Sequence, residues 1–397
     1  MPTGPLPPFE FRTVPSIQVE WGGAKRLGEM LAARFPGSLP GRHILTVTDA
    51  GLVKAGLLGP VQAGLEAQGF RVTVFDKVVA DPPESVLLDC VRQGREAGAE
   101  IVLGLGGGSS LDVAKLAAVL LVSEQELSQI YGIGKVAGSR LPLVLVPTTA
   151  GTGSEVTNIS ILTTGETTKM GVVAPQLYAD AVLLDAELTL GLPALHTAAT
   201  GIDAMVHAIE AYTSRHKKNP LSDALAREAL RLLGGNLLAA CRDGQDRAAR
   251  EAMLLGAMLA GQAFTNAPVA AVHALAYPLG GHYHVPHGLS NALMLGPVLR
   301  FNARAAAPLY AELDTVLNGP GSVTGTGGTE ERAMHFVESM QRLMDGSGAP
   351  RRLRDVGVTD NSLAMLAADA MKQTRLLVNN PVDVTEADAL ALYREAF

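Results

Sequence analysis

The chain has 397 residues, 47% hydrophobic and 18% charged, with a net charge of −7 from 32 basic and 39 acidic residues. That length allows two domains, and the apolar fraction supplies a core even with only 4% aromatics, so Ala, Leu, Val and Gly must fill it. An acidic balance offers a polynucleotide little counterion-release attraction, which excludes nucleic acid as the expected partner.

Cys90 and Cys241 lie far apart and form no C-x-x-C pair, as expected of two reduced thiols rather than a disulfide framework. The Pro-rich start, residues 1–11, has no basic region followed by an apolar stretch. No run of about 18 apolar residues exists to span a bilayer. A cytoplasmic protein with no membrane contact is expected.

In chain order, Ile44–Val47 reads as a strand and Val53–Gln68 as a helix interrupted by Gly and Pro. Arg71–Phe75 is a second strand, Val86–Ala97 a helix, and Ile101–Leu105 a third strand. Glycines follow at once, then a helix over Leu111–Val122 and a fourth strand over Leu143–Val146. Strands alternating with helix-length patterns predict parallel βαβ units in a layered α/β domain. Beyond about Pro193 the texture changes to long Ala/Leu/Met-rich segments, Thr197–Ser214, Ser222–Ala240 and Arg247–Phe264, so the second half is expected to be all-α. The boundary falls between Leu188 and Thr197, giving domains 1–192 and 193–397. Ser322–Thr329 reads as a flexible surface connection, and no internal repeat is visible.

The segment Gly104-Leu-Gly-Gly-Gly-Ser-Ser-Leu-Asp-Val-Ala-Lys115 follows an apolar strand and opens a helix. Glycines let the backbone approach a ligand, and the free N–H groups of a helix start attract a pyrophosphate. Ser109 or Ser110 can cap the helix and also donate to a phosphate. The spacing departs from the strict G-x-G-x-x-G fingerprint and follows a later strand, so a standard Rossmann unit is not expected. A second polar turn, Pro147-Thr-Thr-Ala-Gly-Thr-Gly-Ser-Glu155, follows the fourth strand. Two such turns at the ends of parallel strands point to one nucleotide crevice. Asp49, just after the first strand, can accept from a ribose 2′-OH and would repel a 2′-phosphate, favouring NAD over NADP; equally, it can be a turn-forming Asp beside Gly51.

The second half carries the sharper signal. Asp203 and His207, four residues apart, share a helix face and can converge on one cation. His273, His282, His284 and His287, four of the chain's nine histidines, fall within one short stretch. Spacing alone leaves the ligand set open: His282, His284 and His287 offer tight local pairs, and His273 can join from the preceding helix. Pro278 and Pro286 suggest an ordered turn between two helices. Glu251–Leu299 contains no Lys or Arg, so a pocket built there offers a cation only through a metal, which disfavours a phosphorylated or polyanionic substrate and suits a small or medium apolar alcohol.

Taken together, GGGSSLDVAK, PTTAGTGSE, TTKMGVVAP around Lys169, DAELTLGLP, TGIDAMVHAIEAY, HALAYPLGGHYHVPHG and Asn380-Pro381 resemble the iron-containing (group III) alcohol dehydrogenase family, over nearly the whole chain. The resemblance implies an N-terminal α/β dinucleotide-binding domain with a parallel, dehydroquinate-synthase-like sheet, an all-α C-terminal domain, and a site in the cleft between them. Carried over by position, it makes Asp203, His207, His273 and His287 the metal ligands, with His282 and His284 as neighbours. Gly106, Gly107, Gly108 and Ser109 match the pyrophosphate loop, with Asp112 further along the same motif. Thr148, Thr149, Thr152 and Lys169 fall at positions near the phosphates and ribose, and Asp49 at the position that selects NAD over NADP. Many members carry a His four residues after the third ligand, where this chain has Tyr277. A phenol with a reference pKa near 10 is a poor relay base, which makes Tyr277, His282 and His284 the relay candidates.

The implied activity is NAD-dependent alcohol dehydrogenation, or the reverse reduction of an aldehyde or ketone, by hydride transfer between a nicotinamide and a carbonyl held on a divalent metal. The resemblance points to Fe2+, while affinity order favours Zn2+ over iron. A small-molecule alcohol or aldehyde and a homo-oligomer are the expected partners. The rivals are a metal-free carbonyl reductase of the maleylacetate reductase type, a dehydroquinate-synthase-like lyase, and a non-catalytic nucleotide-binding protein. Four ligand types argue against the first and last, and the cation-free stretch argues against the lyase.

Overall fold

The computed structural model describes residues 8–35, 42–165, 168–320 and 328–397. Nine strands form among the described residues: β1 (Ile17–Val19), β2 (His43–Asp49), β3 (Arg71–Val78), β4 (Ile101–Gly106), β5 (Gly132–Ile133), β6 (Leu143–Pro147), β7 (Ile159–Thr164), β8 (Thr168–Val173) and β9 (Ala181–Leu184). Six build one sheet in the order β1-β9-β6-β4-β2-β3, with every neighbouring pair parallel. The other three form a small sheet, β5-β8-β7, whose β7–β8 pair is an antiparallel hairpin.

The apolar runs of β2, β4, β6 and β9 follow from burial on both faces of a parallel sheet. Side chains alternate between two cores. Ile101, Leu103 and Leu105 of β4 join the face covered by the helices Leu27–Arg34 and Leu58–Ala67, and Val102 faces the other way. This second core takes in the helices Glu84–Ala97 and Gly108–Leu120 and runs on without a break into the C-terminal half.

That half is helical from Ala194–Thr213 through Pro220–Arg242, Arg247–Asn266, Ala271–Tyr283 and His287–Asn302 to Glu386–Ala396. Its first helix starts after a short linker held by one buried guanidinium. Arg250 donates to the Gly244 carbonyl (2.9 Å), the Thr197 hydroxyl (2.8 Å) and the Leu192 carbonyl (3.2 Å). Among the described residues, no helix is long and apolar enough to cross a membrane.

The four expected strands form, each ending one to three residues later than expected or starting one earlier. The interrupted helix is two pieces, Ala50–Lys54 and Leu58–Ala67, broken where Gly56 turns left-handed at φ 76°. Among the described residues, β1, β5, β9, the β7–β8 hairpin and the helix Leu27–Arg34 were not foreseen. β1 is too short to show an alternation, and the hairpin's Thr, Lys and Gly content hides it. Pro278 marks no turn but lies inside the helix Ala271–Tyr283, while Pro286 caps the next one. Most of the Ser322–Thr329 connection lies outside the described residues.

Candidate active site and metal centre

The helix Ala194–Thr213 places Asp203, His207 and Glu210 on one buried face at i, i+4 and i+7. The helix Ala271–Tyr283 brings in His273 near its start, and His287 opens the helix that follows Pro286. The Nε2 atoms of His207, His273 and His287 stand 3.9, 3.9 and 3.7 Å from Asp203 Oδ1. All four ligand atoms fall within 4.8 Å of one another. These gaps are too long for hydrogen bonds, and they suit donors arranged around one cation at about 2.0–2.2 Å from each.

Protonation favours the same reading. Burial drives the His207 imidazole down to about 3 and lowers His287 as well, so both keep a lone pair at neutral pH. Burial opposes ionisation of Asp203, but the three imidazoles and the Asn291 amide outweigh it and hold the carboxyl below its ordinary value. Asn291 Nδ2 donates to Asp203 Oδ1 at 2.6 Å and lies 3.2 and 3.3 Å from the Nε2 atoms of His273 and His287. Glu210 receives Nδ1–H of His273 at 2.7 Å and the backbone N–H groups of Ala270 (2.9 Å) and Val272 (2.7 Å). A carboxylate only accepts here, so His273 carries its proton on Nδ1 and turns Nε2 to the cluster. His207 is held flat between Phe264 and His273, with ring centroids 4.3 and 4.8 Å away.

The two polar turns face each other across the ends of β4 and β6. A Cβ on Gly108 would lie 2.7 Å from Thr152 Cγ2, and one on Gly107 would lie 3.4 Å from Thr149 Cγ2. Only glycines let these turns approach so closely while leaving backbone N–H groups free at the helix start. One buried lysine braces them: Lys115 Nζ donates to Ser154 Oγ (2.7 Å), Thr157 Oγ1 (3.0 Å) and the Ile159 carbonyl (2.8 Å). Asp112 completes the brace, accepting from Ser154 Oγ at 2.5 Å and the Ile161 N–H at 2.8 Å. Burial lowers Lys115, against the pull of Asp112 and Glu155, and burial also raises Glu155 to about 7. The second turn is pressed onto the C-terminal half at Gly153, where an added Cβ would stand 2.5 Å from Gly261 Cα.

A cleft of about 770 Å³ joins the two regions. Asp49, Gly107, Gly108, Ser109, Asp112, Thr148, Thr149, Thr152, Lys169, Asp203, His207, His273, Tyr277 and His287 all line it. Asp49 has both of the roles weighed for it open to it: Oδ1 caps the Leu52 N–H at 3.0 Å, while the carboxylate still lines the cleft at the β2–β4 switch of strand order. Three expected residues lie elsewhere. Gly106 ends β4 at φ 156°, turned against Ser110. His282 sits in a surface pair with Asp369 at 3.1 Å. His284 is exposed and ends its helix in the left-handed conformation, φ 54°. Tyr277 alone of the relay candidates reaches the cleft, its ring centroid 6.0 Å from that of His287.

Sequence reasoning missed Glu210, Asn291, Phe264, Lys115 and Arg375. Glu210 and Asn291 had a signal, standing three residues after His207 and four after His287 on ligand-bearing helix faces. The other three gain their roles only through long-range packing. The cation-free stretch Glu251–Leu299 also proved an incomplete guide, because Lys169 and Arg375, from outside it, both line the cleft.

Residues 15–186 match the family model described as iron-containing alcohol dehydrogenase, and residues 197–397 match the C-terminal model of the Fe-containing alcohol dehydrogenase family. The chain belongs to the iron-containing alcohol dehydrogenase family. Its relatives include long-chain-alcohol dehydrogenase 1 of Geobacillus thermodenitrificans, 41% identical over 96% of this chain and 95% of the relative. Among solved structures, a 1,3-propanediol oxidoreductase superposes with a TM-score of 0.93 at 34% identity, over 98% of this chain and all of that one. The sulfoacetaldehyde reductase of Bifidobacterium kashiwanohense, solved in complex with NAD+, superposes with a TM-score of 0.86 at 28% identity, over 99% of each chain. As a member of this oxidoreductase family, the chain places its Asp/His cluster and its two glycine–threonine turns in one continuous cleft.

Proposed function

We propose that the protein is an NAD-dependent alcohol dehydrogenase, reversible as an aldehyde or ketone reductase, with Asp203, His207, His273 and His287 holding one divalent metal. The carrying observation is that these four ligand atoms, gathered within 4.8 Å, share a cleft with the facing turns of β4 and β6. Family membership favours Fe2+, and the same ligand set suits Zn2+. When bound, the cation supplies Lewis-acid polarisation of a carbonyl oxygen and stabilises negative charge developing there.

The chain's own residues bind, orient and shield. Gly107, Gly108 and Ser109 offer N–H groups to a pyrophosphate at the helix start, and Thr148, Thr149 and Thr152 wall its other side. Asp49 accepts from the adenosine ribose, which favours NAD over NADP. Lys169, paired with Asp81 near His287, serves the nicotinamide end. Phe264 and Val269 exclude water from the reacting centre. A nicotinamide held there would supply hydride to the carbonyl carbon, and the oxygen would take up one proton to give the alcohol. Burial raises the Tyr277 hydroxyl, against the influence of Arg375, so Tyr277 holds its proton and acts as a hydrogen-bond donor, with solvent supplying the proton.

A cytoplasmic location fits the free cysteines, one of them fully buried. A homo-oligomer fits the exposed edge of the main sheet at β1, where Val19 is open to pairing. Metal quantification combined with an alcohol and aldehyde panel, run with NAD and with NADP, tests the central reading. His287→Ala should lose metal and turnover together. Full activity in metal-stripped protein would overturn it.

A further inference from the structure

Arg375, in the short helix Thr374–Leu377, reaches the cleft beside Tyr277. Its Nη2 crosses to the β7–β8 hairpin and stands 3.8 Å from where a Cβ on Gly171 would be. That is ordinary van der Waals distance, so the hairpin backbone borders the guanidinium on one side. Two fixed cations, Lys169 and Arg375, line the cleft, and they differ. Lys169 is paired with Asp81, whereas no carboxylate among the described residues stands within ion-pair distance of Arg375. Tyr277 separates Arg375 from the ligand cluster, its ring adjoining His287.

Apolar surface spans the two ends. Phe264 stacks on His207 at the metal end, and Ile161 adjoins the same Gly171 at the arginine end, with Cδ1 3.0 Å from its notional Cβ. Leu376 follows Arg375 in the wall. The guanidinium hydrogen-bonds the Tyr277 hydroxyl but meets no carboxylate, so its remaining donors form a planar fork that matches two oxygens of one anion. A single uncompensated positive charge balances one negative charge and leaves a phosphate dianion half neutralised.

We infer that the substrate carries a terminal monoanionic group, carboxylate or sulfonate, joined by a short methylene chain to the reacting carbonyl, with Arg375 as its receptor. This rests on the carbonyl reductase reading above and refines the apolar alcohol expected from the sequence.

The test uses full-length, metal-loaded protein with NADH. Unbranched ω-oxo carboxylates of three to six carbons, 2-oxoethanesulfonate, and neutral aldehydes of matched length are compared on wild type, Arg375→Met and Arg375→Lys. For at least one chain length, wild type should prefer the charged aldehyde in kcat/KM by roughly tenfold or more. Arg375→Met should collapse the charged-to-neutral ratio by roughly 10- to 100-fold, mainly through KM, and Arg375→Lys should restore part of it. The carboxylate and sulfonate arms show which anion is accepted. An unchanged ratio in Arg375→Met, or no preference for charge at any length, overturns the inference. If wild type reduces no aldehyde, the reductase reading fails, and calorimetric titration with the corresponding ω-hydroxy carboxylates decides the role of Arg375 alone. Binding lost in Arg375→Met upholds it, and equal binding in both proteins removes it.

Discussion

Glu210 accepts the Nδ1 proton of His273 at 2.7 Å, and the same carboxylate holds the backbone N–H groups of Ala270 and Val272. A residue that does not line the cleft thus fixes the tautomer of a candidate ligand, its ring plane, and the start of the helix that carries it.

Glu210→Gln keeps an acceptor but loses the charge. Metal affinity should fall roughly 10- to 100-fold, with a smaller loss of fold stability. Competition with a chelator of known affinity measures the first, and thermal melting of the metal-free protein the second. Unchanged metal affinity would show that His273 is oriented by packing alone.

Asp49 stands where β2 and β4 diverge, and its carboxylate would meet a 2′-phosphate with like charge. Asp49→Ser should raise the NADP-to-NAD ratio of kcat/KM by roughly 10-fold or more while keeping a cap for the Leu52 N–H. Steady-state kinetics with both cofactors checks it, and an unaltered ratio would assign Asp49 to the turn only.

Glu155 is buried, and its pKa is raised by that burial to about 7 from an ordinary 4.5. A raised carboxyl binds its proton more tightly in the folded state. Its contribution to stability is therefore full below about pH 4.5 and is lost as pH rises through about 7. Glu155→Gln should flatten the pH dependence of stability across that window. Denaturation midpoints at several pH values would show it, and parallel curves for the two proteins would refute it.

Gly153 adopts φ 60° and lies backbone to backbone against Gly261. Gly153→Ala meets strain and overlap at once and should cost about 2–4 kcal/mol, with weaker NAD binding because the Thr148–Thr152 wall shifts. Urea denaturation and nucleotide titration together report both effects. Gly56→Ala is the control, since its φ is also left-handed but nothing lies within 4 Å of the added carbon; it should cost only about 1–2 kcal/mol and leave nucleotide binding alone.

The parallel strands were legible because burial on both faces leaves unbroken apolar runs, and the four candidate metal ligands because the family motif selected them from a crowd of histidines. Local spacing by itself left His282 and His284 in contention; the first pairs with Asp369 at the surface and the second ends its helix exposed, in the left-handed conformation. Pro278 looked like punctuation and is tolerated inside a helix. β9 and β1 escaped notice because three or four residues show no period, although they extend the sheet beyond β6 to its edge. Arg375 left no trace: it lies far along the chain in an unremarkable helical turn, and only tertiary folding brings it to Tyr277.

The ammonium of Lys115 is the common anchor of three neighbouring segments: its own helix, the Ser154–Thr157 turn, and the first residue of β7. The width of the nucleotide groove is consequently a property of one ion–dipole knot rather than of either wall. Redesigning one wall for a different cofactor would shift its opposite by way of that knot, so variants that alter cofactor choice should be sought at the rim, around Asp49, before the threonines are touched.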